Sequence, residues 1–161
     1  MAANQEQARL AAAAALLVAA RSATLATMHE GAPHASLVTP AVVGDGSIVL
    51  LLSGLAAHTR HLQSNPACAL LVMGASAGAN PQTTPRLNLN GTARPVPAGV
   101  VRTDYLKIHP YAAQYAEFSD FSFWEITVST SQYIGGFADA GSLDVAALQH
   151  EISVHLRRGC G

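Results

Sequence analysis

The sequence predicts an α+β fold in which one antiparallel β-barrel carries helices over its ends. Three observations lead there. Short apolar runs alternate with turn chemistry, as at Glu30-Gly31-Ala32-Pro33 and Asp45-Gly46, and such spacing favours antiparallel hairpins. At least five of these runs read as strands. Helical spacing is confined to the two ends and to short stretches between strands, the arrangement of a closed sheet with helices outside it.

Each element follows from local chemistry. Asn4 to Arg21 is rich in Ala, Leu and Arg, all strong helix formers, with Asn4 placed to cap the helix. Thr24 to His29 reads as a strand, and His34 to Val43 as a second one that Pro40 bends. After the Asp45-Gly46 turn, Ile48 to Ser53 is continuously apolar and is expected to be buried on both faces. Gly54 to Pro66 is a short helix with a proline stop. Ala67 to Met73 is a strand, Gly74 to Pro85 a mobile loop, and Arg86 to Val96 an alternating, half-exposed strand. Val100 to His109 and Pro110 to Phe118 form a helical pair. Phe121 to Val128 and Gln132 to Phe137 are expected as two strands, and Leu143 to Arg158 as a closing helix.

Composition narrows the function. The chain has 161 residues, 50% hydrophobic and 12% charged, with a formal net charge of −1. That is one domain over residues 1–161 with its own core, and not a disordered chain. It has no basic stripe for nucleic acid. So few charges leave surface suited to a partner chain. Cys68 belongs to a core strand and Cys160 to a frayed end, so no disulfide framework is expected and a reducing cytoplasm is the default. The Ala-rich run Leu10 to Ala20 is too short for a membrane span and has Glu6 before it, which argues against a signal peptide. No membrane association is expected.

The stretch that carries chemistry is the junction Ser53-Gly54-Leu55-Ala56-Ala57-His58-Thr59-Arg60. A helix start offers unpaired N–H groups and a positive dipole end, and Ser53, Thr59 and Arg60 add hydroxyls and a fork-shaped cation. That combination suits a phosphate. Taken alone, the same residues read more commonly as a capped helix with a solvated arginine. Arg86, at a strand start, is a second candidate for a phosphate or ring edge. Ser36-Leu37-Val38-Thr39-Pro40 is a third, because a strand bent at proline can aim backbone groups into a pocket. No Gly-x-Gly-x-x-Gly or Walker loop is present, and Ser36, His58 and Asp45 lack a nucleophile elbow. His58 and His61 lack a carboxylate-rich partner motif, so no metal is expected.

Three blocks of this sequence resemble a known family. They are Ala23 to Thr27 with Pro33 to Val38; Leu52 to Leu62 ending in Asn65-Pro66; and Asp120 to Trp124 with Gly135 to Ala140. Together they look like the pyridoxamine 5'-phosphate oxidase-like FMN-binding proteins, and within them the haem-utilisation branch. The resemblance implies a six-stranded split β-barrel and a homodimer with FMN sites between protomers. On that pattern Ser53, His58, Thr59 and Arg60 would hold the FMN phosphate. Ser36, Val38 and Thr39 would run along the flavin ring, and Arg86 would contact the cofactor. Two departures stand out. His58 occupies the place of a lysine in the oxidases, and Lys107 is the chain's one lysine, which argues against a B6 substrate. The further C-terminal domain of many haem-utilisation relatives does not follow the Gly135-Gly136-Phe137 block, so its haem contacts are not carried over. The favoured reading is an FMN-dependent oxidoreductase acting on a small molecule, with no catalytic residue named. Haem binding or degradation is the alternative, with His150 and His155 as weak ligand candidates, and a non-catalytic flavin module is a third reading.

Overall fold

The computed structural model describes residues 2–76 and 78–159. Cys160 lies outside the described residues. Four helices and eight strands alternate in the order α1 (Ala2–Ala19), β1 (Ala23–His29), β2 (Ala32–Val38), β3 (Ala41–Val43), β4 (Ser47–Ser53), α2 (Ala57–Ser64), β5 (Ala67–Met73), β6 (Arg86–Val96), α3 (Ala98–Ile108), β7 (Phe121–Gly136), β8 (Asp139–Leu143) and α4 (Val145–Arg158).

All strand pairs are antiparallel. Their order is β2-β1-β5-β6-β7-β4-β3, with β8 added on β7. β2 and β3 stand at opposite ends of that order, yet only Thr39 and Pro40 separate them in the chain. Proline has no N–H for a ladder and bends the strand there. The sheet therefore returns on itself, and β2 with β3 counts as one bent strand of a six-stranded barrel.

The interior is built from Leu25, Leu50, Leu70, Val72, Leu87 and Leu89, each at 0% exposure. Leu10 and Leu17 of α1 and Leu148 and Ile152 of α4 join this core. A second core lies under α3, where Val101 and Tyr105 meet Val43, Val49, Leu51 and Phe123. β4 separates the two cores, which is why its apolar run is unbroken. No helix among the described residues is long and apolar enough to cross a membrane.

Four expectations need correction. Asn4, expected to cap the first helix, lies inside α1, which begins at Ala2. The two strands expected within 121–137 are one 16-residue strand, β7. Its polar centre is carried by its neighbours: Ser129 Oγ donates to Asn90 O (3.0 Å) and Ser131 Oγ to Leu143 O (2.9 Å). The helix expected over 110–118 shrinks to a 3-10 turn, Pro110–Gln114, because Pro110 supplies no N–H to continue α3. β8 falls where only a connection was read.

Candidate cofactor site

β4 ends at Ser53, and the chain turns there into α2. Ser53 Oγ donates to Asp120 Oδ2 (2.7 Å) and accepts from the Leu55 N–H (3.1 Å). Its proton is thus committed to a carboxylate that the sequence reading did not include. The N-cap position of α2 is Ala56, which makes no side-chain cap bond. The N–H groups of the first turn, Ala57 to Thr59, have no carbonyl within the helix to serve them. Arg60 Nη1 donates to Leu55 O (2.5 Å), which holds the guanidinium over this same helix start. Thr59 is 1% exposed, and its Oγ1 is the buried side-chain polar atom without a hydrogen-bond partner among the described residues. An uncapped helix start, a cation and an unsatisfied hydroxyl fit an anionic group of a cofactor.

Beside this turn lies a group of imidazoles. His58 and His61 are three apart and so share one face of α2. That helix packs on β1 and β2. His61, 9% exposed, bonds through Nδ1 to the buried Thr27 Oγ1 of β1 (3.0 Å). Its ring stacks on His29 with centroids 4.7 Å apart and meets the edge of His34 at 5.1 Å. Burial, and then the neighbouring His29, His34 and Arg60, hold His61 below the ordinary histidine range. His58 is lowered too, by burial first and then by His34 and His61. No carboxylate among the described residues contributes to either shift.

Ser36 and His34 sit on the same side of β2, opposite Leu25 and Thr27 of β1. Ser36 therefore joins this corner. Val38 is in the core at 5% exposure, so only its backbone can meet a ligand. Thr39 is held at the bend by Tyr105, whose hydroxyl donates to Thr39 O (2.9 Å) and lies 3.0 Å from Thr39 Oγ1. The buried His109 Nε2 donates to Pro40 O (2.9 Å), since a carbonyl only accepts, and Nδ1 takes the Tyr111 hydroxyl (3.1 Å).

Arg86 does not reach the corner. It pairs with Met73 on β5, five residues beyond Cys68, the partner of Thr27. That separation is roughly 17 Å of strand. Its Nη1 is used by Gln82 O and Thr84 O at 3.0 and 3.1 Å. The structure thus gathers Ser36, Ser53, His58, Thr59 and Arg60, sets Val38 and Thr39 at the adjoining bend, and leaves Arg86 apart. His29, His34, His61, Thr27, Tyr105, His109 and Asp120 are residues that the sequence reading did not assign to the site, although it weighed His61 with His58 as a metal pair. The one signal available was that four of seven histidines fall within residues 29–61. Among the described residues no group of three or more His, Cys, Asp or Glu is arranged to hold a metal ion.

Residues 10–135 match the family model described as pyridoxamine 5'-phosphate oxidase. The chain is 38% identical over 120 residues to the non-canonical heme oxygenase HOZ, chloroplastic, of Arabidopsis thaliana, covering 73% of this chain and 36% of that protein. It therefore spans little more than a third of that relative's length. A heme binding protein from Mycobacterium smegmatis is 31% identical and superposes with a TM-score of 0.78, over 87% of this chain and 60% of that one. ChuZ of Campylobacter jejuni, at 14% identity and a TM-score of 0.74 over 91% of this chain and 61% of its own, shares the fold.

Proposed function

The chain belongs to the pyridoxamine 5'-phosphate oxidase family, and from that premise we propose that it binds haem as a homodimer, with the anionic edge of the cofactor at the corner of β1, β2 and α2. One observation carries this reading: the corner sets Arg60, the uncapped start of α2 and four imidazoles together, and no carboxylate among the described residues offsets His58 and His61 on α2. Propionate groups want such a place. Leu55, 77% exposed and next to the helix start, offers apolar surface to a ring. Two relatives above 30% identity carry heme in their names, which favours this cofactor over FMN. Haem when bound would supply iron redox chemistry. The chain's own part is to hold the carboxylates and to shield the ring from water.

The partner is a second copy of the chain. On β1, β2 and β5 the outward residues, among them Ala26, Met28, Ala35, Leu37, Ala69 and Leu71, include no charged side chain. A groove of about 250 Å³ runs along this face by Met28, Pro33 and Ala69. Light scattering at micromolar protein is expected to give a dimer; a monomer would remove the shared-site arrangement.

FMN is the second reading, favoured by the fit of a phosphate to Arg60 and the α2 start, and it would make the protein an FMN-dependent oxidoreductase. One titration separates the two. Haemin is expected to saturate at one per protomer with a sharp Soret band, and Arg60→Ala to weaken it. FMN is expected to bind less tightly. If FMN binds with quenched fluorescence and haemin does not saturate, the oxidoreductase reading replaces the haem one. In that case Arg60→Ala should cost FMN roughly ten- to a hundredfold and leave riboflavin unaffected.

A further inference from the structure

We infer that this corner is a proton-linked anion pocket: His58, with Arg60 two residues further along the same helix start, takes up a proton as a phosphate or carboxylate group binds, so that affinity for the anionic cofactor falls as pH rises. The inference rests on the corner being the anionic end of the cofactor site, whichever cofactor fills it.

The groups that face one another here come from three elements. β1 supplies Thr27 and His29, β2 supplies His34, and α2 supplies His58, Arg60 and His61. Glu30, at the tip of the β1–β2 turn, enters the electrostatics of neither His58 nor His61. His61 acts as a wedge. Its Nδ1 is taken by Thr27, and its ring is packed against His29 and His34, so it has little room to change. His34 is exposed and His58 half-buried, and these two are free to meet a ligand.

Without a bound anion, burial first and then the neighbouring His34 and His61 disfavour the charged form of His58. His58 is therefore neutral at neutral pH. An anion placed between the imidazoles and Arg60 reverses both effects, because an opposite charge within hydrogen-bonding range favours the protonated ring. A group whose proton affinity is higher in the complex than in the free protein binds a proton on association. The affinity it contributes is then lost as pH rises through its value in the complex. No such dependence arises if the four rings are only packing.

The test is a set of dissociation constants for FMN, haemin and riboflavin between about pH 7 and about pH 8.5. A phosphate monoester, with its second pKa near 6, is then already about nine-tenths ionised or more. Whichever anionic cofactor binds is expected to be about tenfold weaker at the upper pH, the effect of losing one linked proton. Riboflavin is expected to show no slope. His58→Gln should lose affinity at the lower pH and flatten the profile. His58→Lys, which keeps a charge throughout, should restore affinity at the upper pH and also flatten it, so a folding defect in one variant does not decide the matter. Calorimetry in two buffers of different ionisation enthalpy should count the proton taken up. If a cofactor binds in an Arg60-dependent way with no pH slope and no proton uptake, the pocket is not proton-linked, and the cofactor reading survives. If Arg60→Ala leaves FMN and haemin equally untouched, or if no anion binds, the reading of the corner falls and this inference with it.

Discussion

Replacing Tyr105 by Phe removes one oxygen atom from the second core and, with it, the clamp on the barrel's bend. Tyr105 is 0% exposed, and its hydroxyl makes two contacts, to Thr39 O at 2.9 Å and to Thr39 Oγ1 at 3.0 Å. The ring keeps its edge contact with Phe123, centroids 5.4 Å apart, so packing changes little. A buried hydrogen bond contributes about 0.5–1.5 kcal/mol net, and an acceptor left dry costs more. Thr39 is half-buried, so water reaches it in part. The expected loss is about 2 kcal/mol. For a chain of this size that is a fall in Tm of about 4–8 °C. Trp124, the single tryptophan and 3% exposed, reports unfolding by fluorescence. Urea curves at fixed protein concentration should show a lower midpoint with unchanged slope. The paired variant Thr39→Val should lose little more once Tyr105 is Phe. A fall below about 1 °C, or full additivity of the two substitutions, would show that the hydroxyl does not hold the bend.

Further predictions concern pH and backbone space. Burial pushes the Cys68 thiol up from 9.0 to about 11 and the Tyr105 phenol up from 10.0 to about 12. Both groups resist ionising only when folded, so the stability they contribute is present below pH 9 and lost as pH rises towards 12; Tyr105→Phe should flatten the upper part of an alkaline melt series. His58 and His61 are held below their ordinary 6.5, so their contribution is present above that value and lost as pH falls through the lowered range. Acid melts of the cofactor-free protein should therefore be shallower for His58→Gln, and identical curves would deny the coupling. Gly91 stands at a bulge against β7, and a Cβ there would collide with the backbone carbonyl of Thr127. Gly91→Ala should cost about 3 kcal/mol or more by urea denaturation, whereas Gly31→Ala, at an open turn, should cost distinctly less.

How far the sequence carried the reading depends on the range of the signal. β5 and β6 match their expected limits, Ala67–Met73 and Arg86–Val96, because Pro66, Pro85 and Pro97 punctuate them. β7 was read as two strands because Ser129, Thr130 and Ser131 look like a gap, and only the partners of those hydroxyls on β6 and β8 explain the continuity. β8, Asp139-Ala140-Gly141-Ser142-Leu143, has no β-branched residue to mark it. The turn of α2 was legible as an anion site from local chemistry. The imidazoles around it were not, since they meet only when a hairpin and a helix thirty residues apart are packed together. Ser53 was legible as a hydroxyl but not as one whose proton belongs to Asp120, more than sixty residues away.

The bend at Thr39 and Pro40 gives the barrel an uneven rim. Every other neighbouring pair of strands is laced by a ladder, so parting it means breaking backbone bonds in series. Between β2 and β3 the ring is joined by the covalent chain alone, latched from α3 by Tyr105 and from the residue after it by His109. At that join a few side-chain latches, rather than a ladder, fix the angle of the chain. The molecule is therefore a bracelet with one hinged link: side chains set the angle of that link while backbone ladders fix the rest of the ring, and the link lies in the same strand that carries Ser36 and His34.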